Sequence, residues 1–289
     1  MTKRRWREGV GLTALNVFFI ALCFLTLIPI LYALSVSFNG SNSLLSSDFS
    51  FIPRNFTLKN YREVLFGENI TLWFRNTVFL AAVTVFLSLL VAVPAAYCFS
   101  RRRFPGRKAI LRCLVLLNSF PAILSMFAIY RLLRPMGLVN TRLGLILVYT
   151  GTMAVFSLWN TKGYFDTIPT EIEEAARIDG ATKWQTLWKI TIPNVMPSIT
   201  ICTFLTITNG FKLFDQNLAL NGGQPFIQNP DGTVIKTTEM LALNIFNTFY
   251  GQNSASRGVA QAKAVLFFIL VAAIGLIQLS ATRRKEVQQ

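Results

Sequence analysis

The chain has 289 residues, of which 53% are hydrophobic and 14% charged, an apolar share above that of ordinary soluble domains. Its net charge of +15 would fit a nucleic-acid binder if the chain were soluble, but the lysines and arginines fall between long apolar runs and read better as membrane topology, with no nucleic acid as partner. There is no histidine and no Gly-Lys pair, which removes the commonest general base and metal ligand and the phosphate-cradling loop of an ATPase.

The first apolar stretch, 12–34, follows the basic leader "MTKRRWR". It is too long for the apolar part of a cleaved secretory leader and reads as an anchor. The segment 35–75 contains "SFIPRNFTLKNYREVLF", where Pro53, aromatics and mixed charge predict a short ordered cap. A second span, 76–100, ends in the turn "SRRRFPGRK", with Pro105-Gly106 at the reversal. The third, 113–133, leads through "RLLRPMGLVNTR" to the fourth, 143–162. A polar loop, 170–193, precedes the fifth span, 194–218. The loop 219–262 opens with the turn-rich "NGGQPFIQNPDG" and continues with "TTEMLALNIFNTFY", a partly amphipathic helix capped by Thr237 or Thr238. That helix either lies on the membrane surface or docks an outside protein. The sixth span is 263–282.

Uncharged runs over 9–47, 76–100, 113–130, 143–161, 190–211 and 264–282, each roughly 18 residues or more, predict spanning helices, since backbone amides in hydrocarbon must pair within their own segment. The fold expected is therefore all-α and integral to a lipid bilayer, one domain with six transmembrane helices. Placing the amino terminus in the cytoplasm puts 17 of the 28 lysines and arginines on the inner side, from Lys3–Arg7, Arg101–Arg112, Lys162–Lys189 and Arg283–Lys285. Both termini are then cytoplasmic. Cys23, Cys98, Cys113 and Cys202 stand singly, without metal or redox spacing, and are expected to pack.

The loop "EEAARIDGATKWQTLWKITIP" is the most polar helical run in the chain. Thr170 and Glu173 fit a capping box for a first helix, with Glu171, Glu173 and Glu174 near its positive end. Gly180 suits a left-handed stop. Thr182 and Gln185 repeat the box for a second helix, which Pro193 should interrupt. Ala175 and Ala176 allow close backbone approach, while Glu174 and Asp179 offer carboxylates. By itself this describes equally a connector packed on its own subunit or a knob for a partner.

The run also resembles the EAA loop of binding-protein-dependent ABC importer permeases. That pattern is Glu-Ala-Ala, three residues, Gly, nine residues, Ile, one residue, Leu-Pro, and Glu174, Ala175, Ala176, Gly180, Ile190 and Pro193 fall in register, with Ile192 replacing the leucine. "RFPGRK", "KGYFDTIP", "IPRNFTLKNY" and "LFDQNLALNGGQP" are similar to the maltose-type branch of carbohydrate permeases. The resemblance implies a type I ABC importer permease fold in a bacterial or archaeal cell membrane. It also implies a second, homologous permease chain, an extracytoplasmic solute-binding protein, and two cytoplasmic ATPase subunits that hold ATP and magnesium. This chain would carry no cofactor or metal and catalyse nothing. Glu174, Ala175, Ala176, Asp179, Gly180, Ile190 and Pro193 would couple it to an ATPase, with Glu174 facing a basic side chain.

Polar and aromatic residues within spans mark a candidate solute pathway: Asn118, Ser119, Phe120, Trp159, Asn160, Asn209, Phe211 and Asp215. Each could instead hold helices together, Pro94 and Pro121 could simply kink their spans, and Lys212 and Asp215, one turn apart, are expected to pair. The expected cargo is a di- or oligosaccharide. Alternatives are a glycerol phosphodiester or another polar solute and, from a different class, a membrane enzyme or channel.

Overall fold

A computed structural model describes residues 2–40, 52–53, 55–67, 69–120, 122–228, 234–251 and 257–283, with only the helical backbone described for 2–11, 122–123 and 282–283. Contacts divide the chain into two compact units, 1–68 with 245–266, and 69–244 with 267–289.

In the first unit, helix α1 (Thr2–Ser37) is almost wholly exposed along its apolar length. Among its described side chains, those packed lie at the carboxyl end. Ser37 is buried and shares a hydrogen bond of 2.7 Å with the Tyr61 hydroxyl, while the Asn60 amide donates to the carbonyls of Ser37 and Asn39. Phe38 stacks on Phe56, and Asn39 and Phe56 form a β-bridge. Helix α2 (Lys59–Arg62) runs directly into a π-turn, Glu63–Gly67. The expected ordered cap is thus built from aromatic stacking and an asparagine that satisfies the frayed helix end.

The second unit is organised by α3 (Ile70–Arg101), α6 (Arg142–Thr167) and α9 (Ile192–Lys212), which pack against one another. Small and hydroxylated residues line the seams, as expected where lipid offers no hydrophobic drive between helices. A Cβ added at Gly210 would lie 3.4 Å from that of Ala81, and Ala92, Ala96, Ser88 and Ser157 are fully buried. Ser157 and Thr206 share a hydrogen bond of 3.3 Å across α6 and α9, and Asn160 donates to the Cys202 sulfur. Of the four cysteines expected to pack, only Cys202 is buried.

Among the described residues five helices are long and apolar enough to cross a membrane, and the sixth candidate is broken. In place of one span over 113–133, helices α4 (Arg107–Ser119) and α5 (Ala122–Leu133) are bent by 105°. Phe120, between them, has extended backbone with φ −71° and ψ 135°, the conformation that a following proline imposes. Pro121 itself lies outside the described residues, whereas Pro94 sits inside the continuous α3.

The two ends of this unit differ in character. At the basic end, Ser100 donates to Asp166 over 2.7 Å and Lys162 pairs with the same carboxylate, fixing α3 to α6. At the opposite, hairpin end, α10 (Asp215–Leu220) leads to a two-stranded antiparallel hairpin, β1 (Phe226–Gln228) and β2 (Val234–Lys236), followed by α11 (Leu241–Tyr250). Thr237 and Thr238 do not cap α11. Their hydroxyls donate to the carbonyls of Pro225 and Gln224. The amides at the start of α11 are instead received by distant side chains: Met240 N by Asn217 Oδ1, and Leu241 N by Thr77 Oγ1 at 2.9 Å. Asn76 donates to the carbonyls of Thr237 and Glu239, so two neighbouring residues of α3 hold the segment. Helix α12 (Arg257–Arg283) closes the described chain.

Candidate functional site

The polar loop forms α7 (Thr170–Ile178), a glycine turn, and α8 (Lys183–Thr186). Gly180 has φ +84°, the left-handed backbone expected of it, and a Cβ there would meet nothing within 4 Å. The second capping box forms in full, with Gln185 N donating to Thr182 Oγ1 and Thr182 N to Gln185 Oε1. Pro193 does not end the helix. A π-turn over Leu187–Thr191 intervenes, closed by Ile192 N donating to Leu187 O, and α9 starts with the proline in its first turn. There the missing N–H and fixed φ are tolerated.

The first capping box is absent, for a reason that defines the site. Pro169 occupies the N-cap without a side-chain bond, and the Glu173 carboxylate turns away from the helix start. Arg101 Nε, at the end of α3, donates to Glu173 Oε1 over 3.0 Å, and the two side chains are 10% and 7% exposed. Thr191 of the π-turn donates to the same oxygen at 3.4 Å, and the Tyr97 hydroxyl to Oε2 at 3.3 Å. Arg101 also donates to Ile168 O over 3.0 Å, tying the α6–α7 junction to the cluster. A carboxylate so withdrawn from water needs these partners to satisfy its oxygens. Glu173 therefore joins α3, α7 and the π-turn leading into α9. A cluster of Ala96, Phe165, Ile168 and Val195 packs beneath.

Neighbouring positions point the other way. Glu174, Ala175, Asp179 and Gly180 are exposed, whereas Ala176 is buried and packs within its own chain. Ile178 is 86% exposed, and Trp184 and Trp188 are exposed and meet edge to face at 5.7 Å. Ile190 lies in the π-turn. An open groove of about 590 Å³ runs beside α7 and α8, lined by Arg102, Glu174, Arg177, Lys183 and Trp184 among others. The loop is thus a braced projection with an outward carboxylate, cations and aromatic surface.

Within the spans, the residues expected to mark a pathway separate into two sets. Asn118, Phe120 and Asn209 meet around a second groove of about 360 Å³, with Ser125, Thr152, Thr206 and Gln216. The others do not reach it. Ser119 returns its hydroxyl to Val115 O, Asn160 bonds Cys202, and Phe211 is buried beside Phe267. Trp159 and Asp215 are exposed away from the groove. Lys212 and Asp215 form no ion pair among the described residues, because Leu213 takes extended backbone between α9 and α10 and ends the shared helical face.

Two features escape a linear reading. Arg101 sits in a basic run that topology alone accounts for, and its partner is 72 positions away. Gln216 lies between Asp215 and Asn217, and no periodicity separates the three.

A family model for the binding-protein-dependent transport system inner membrane component matches residues 84–286. The galactooligosaccharides transport system permease protein GanQ of Bacillus subtilis (strain 168) is 32% identical over 251 residues, 85% of this chain and 83% of the relative. The maltose/maltodextrin transport system permease protein MalG of Yersinia pestis is 31% identical over 217 residues, 68% and 70% of the two chains. In fold, the chain is similar to one from the crystal structure of a bacterial ABC transporter involved in the import of the acidic polysaccharide alginate. There the TM-score is 0.75 at 24% identity, covering 96% of this chain and 97% of the other. With its long apolar helices, braced polar loop and these matches, the chain belongs to the family of binding-protein-dependent transport system inner membrane components, as a multi-pass permease.

Proposed function

We propose that this permease carries a di- or oligosaccharide through a bacterial or archaeal cell membrane, powered by ATP bound and hydrolysed, with magnesium, on two separate cytoplasmic subunits. A second, homologous permease chain completes the pathway, and an extracytoplasmic binding protein delivers the sugar. The basic end, with α7 and α8, faces the cytoplasm and the hairpin end faces outward, in keeping with the positive-inside rule.

One observation carries the reading: an exposed α7 face bearing Glu174 and Gly180, backed by the buried Arg101–Glu173 pair that ties it to the ends of α3 and α9. A partner's rigid-body motion can shift membrane helices only through a stiff, shape-matched contact. Here the surface residues of the loop meet the ATPase while the buried ones pass the displacement into the bundle. Alternating access follows when ATP binding favours one of two bundle states, each opening the pathway to one side. The sugar assignment is supported by the names of the relatives, which transport galactooligosaccharides and maltodextrins.

The test is uptake by cells lacking this chain, across oligosaccharides and glycerol phosphodiesters, with complementation by the wild-type sequence. Loss and recovery of one sugar supports the proposal. Loss confined to a glycerol phosphodiester overturns the cargo class. A purified chain that transports without an ATPase subunit overturns the mechanism.

A further inference from the structure

We propose that the groove between α4–α5, α6, α9 and α10 is a hydroxyl-binding subsite on the solute pathway, in which the side-chain amide of Gln216 hydrogen-bonds an uncharged, polyhydroxylated solute. This inference rests on the reading of the chain as a sugar permease.

Gln216 is 6% exposed, lines the groove, and has no hydrogen-bond partner for its Oε1 among the described residues. The surrounding polar groups are otherwise engaged. Asn217, next in sequence, donates to Thr238 O and accepts from Met240 N. Thr206 is paired with Ser157, and Thr152 returns its hydroxyl to the α6 backbone. Buried amide oxygens are normally satisfied, and the side chain that carries this one borders the groove. Asn118 and Asn209 stand exposed at its margins and make no hydrogen bond among the described residues. Amides gathered beside apolar spans face a wet path or a partner rather than lipid.

The remaining lining sets the ligand class. Its volume of about 360 Å³ falls in the range of small-molecule sites. The Phe120 ring, 56% exposed, supplies a flat apolar wall for the carbon face of a pyranose, and Met126, Ile129, Met153 and Phe156 continue it. Among the described residues no charged side chain borders the groove, so they have nothing to offset a phosphate or carboxylate, whereas amides both donate to and accept from hydroxyls.

The test uses the importer assembled with its own partners in lipid vesicles, with maltotriose, galactotriose and glycerophosphocholine as probes. Gln216→Leu should raise the half-saturating concentration of the transported sugar about tenfold, and Gln216→Asn should recover part of the loss. In a background lacking the four native cysteines, Gln216→Cys should react with a hydrophilic methanethiosulfonate, and the transported sugar should slow the reaction. Should Gln216→Leu fail to assemble, Asn209→Ala and the labelling decide in its place.

A wild-type complex that carries sugar, with unchanged uptake in Gln216→Leu and no labelling of Gln216→Cys, overturns the subsite and leaves the permease reading intact. Uptake of glycerophosphocholine alone overturns the sugar reading and the uncharged ligand together. With no probe carried, an unreactive Gln216→Cys variant still overturns the groove, and a reactive one supports it.

Discussion

Arg101 and Glu173 stand 72 positions apart in sequence and 3.0 Å apart in space, both nearly sealed from water. The pair joins the end of a long apolar helix to the polar loop, and Thr191 extends it into the helix that follows.

Removing one partner of such a pair strands a buried charge, at a cost of about 3 to 5 kcal/mol. Arg101→Gln or Glu173→Ala should therefore lower the melting temperature of the purified permease and reduce uptake per ATP hydrolysed at least tenfold. The exchanged pair, Arg101→Glu with Glu173→Arg, should recover part of both. Single variants that melt and transport like the wild type would remove the pair from the coupling route.

Glu174, one residue on, should behave in the opposite way. It is exposed and forms no ion pair among the described residues, so Glu174→Ala should change the stability of the isolated chain by no more than about 0.5 kcal/mol. Retention of ATPase subunits in a detergent pull-down should nevertheless fall. Equal loss of stability at Glu173 and Glu174 would contradict the division between brace and contact.

Gly180 separates backbone strain from partner fit. Its φ of +84° disfavours alanine by about 1–2 kcal/mol, yet a Cβ there would meet nothing within 4 Å among the described residues. Asparagine and aspartate both tolerate this conformation. Gly180→Asn should keep more ATP-coupled uptake than Gly180→Asp, which adds a second charge beside Asp179, while both variants insert and melt alike. Wild-type coupling in Gly180→Asp would rule out a close partner at the turn.

At the other end, Thr77→Val keeps the shape of the side chain but removes the acceptor for Leu241 N. A buried amide left unpaired costs about 1–3 kcal/mol. Hydrogen exchange at the start of α11 should quicken, whereas Thr237→Val, which alters no amide of that helix, should leave it unchanged. Identical exchange in the two variants would place the cap elsewhere.

The apolar runs, the left-handed turn at Gly180 and the capping box of Thr182 and Gln185 were legible in the residues alone, because each depends on neighbours within a few positions. So was the family likeness carried by Glu174 to Pro193, since spacing along a chain needs no coordinates. Packing decided the rest. A capping box at Thr170 competes locally with nothing, but once α3 brings Arg101 alongside, a buried guanidinium displaces the backbone as partner of the Glu173 carboxylate. Lys212 and Asp215 share a helical face only if the helix continues, and Leu213 ends it. Asn160 and Asn209 are the same residue type on apolar helices, yet one is bonded to Cys202 and the other borders a groove with Asn118 and Gln216. Local periodicity determines which segments become helices, whereas hydrogen-bond partners more than a hundred residues apart, such as Thr77 and Leu241, are chosen only when the helices pack.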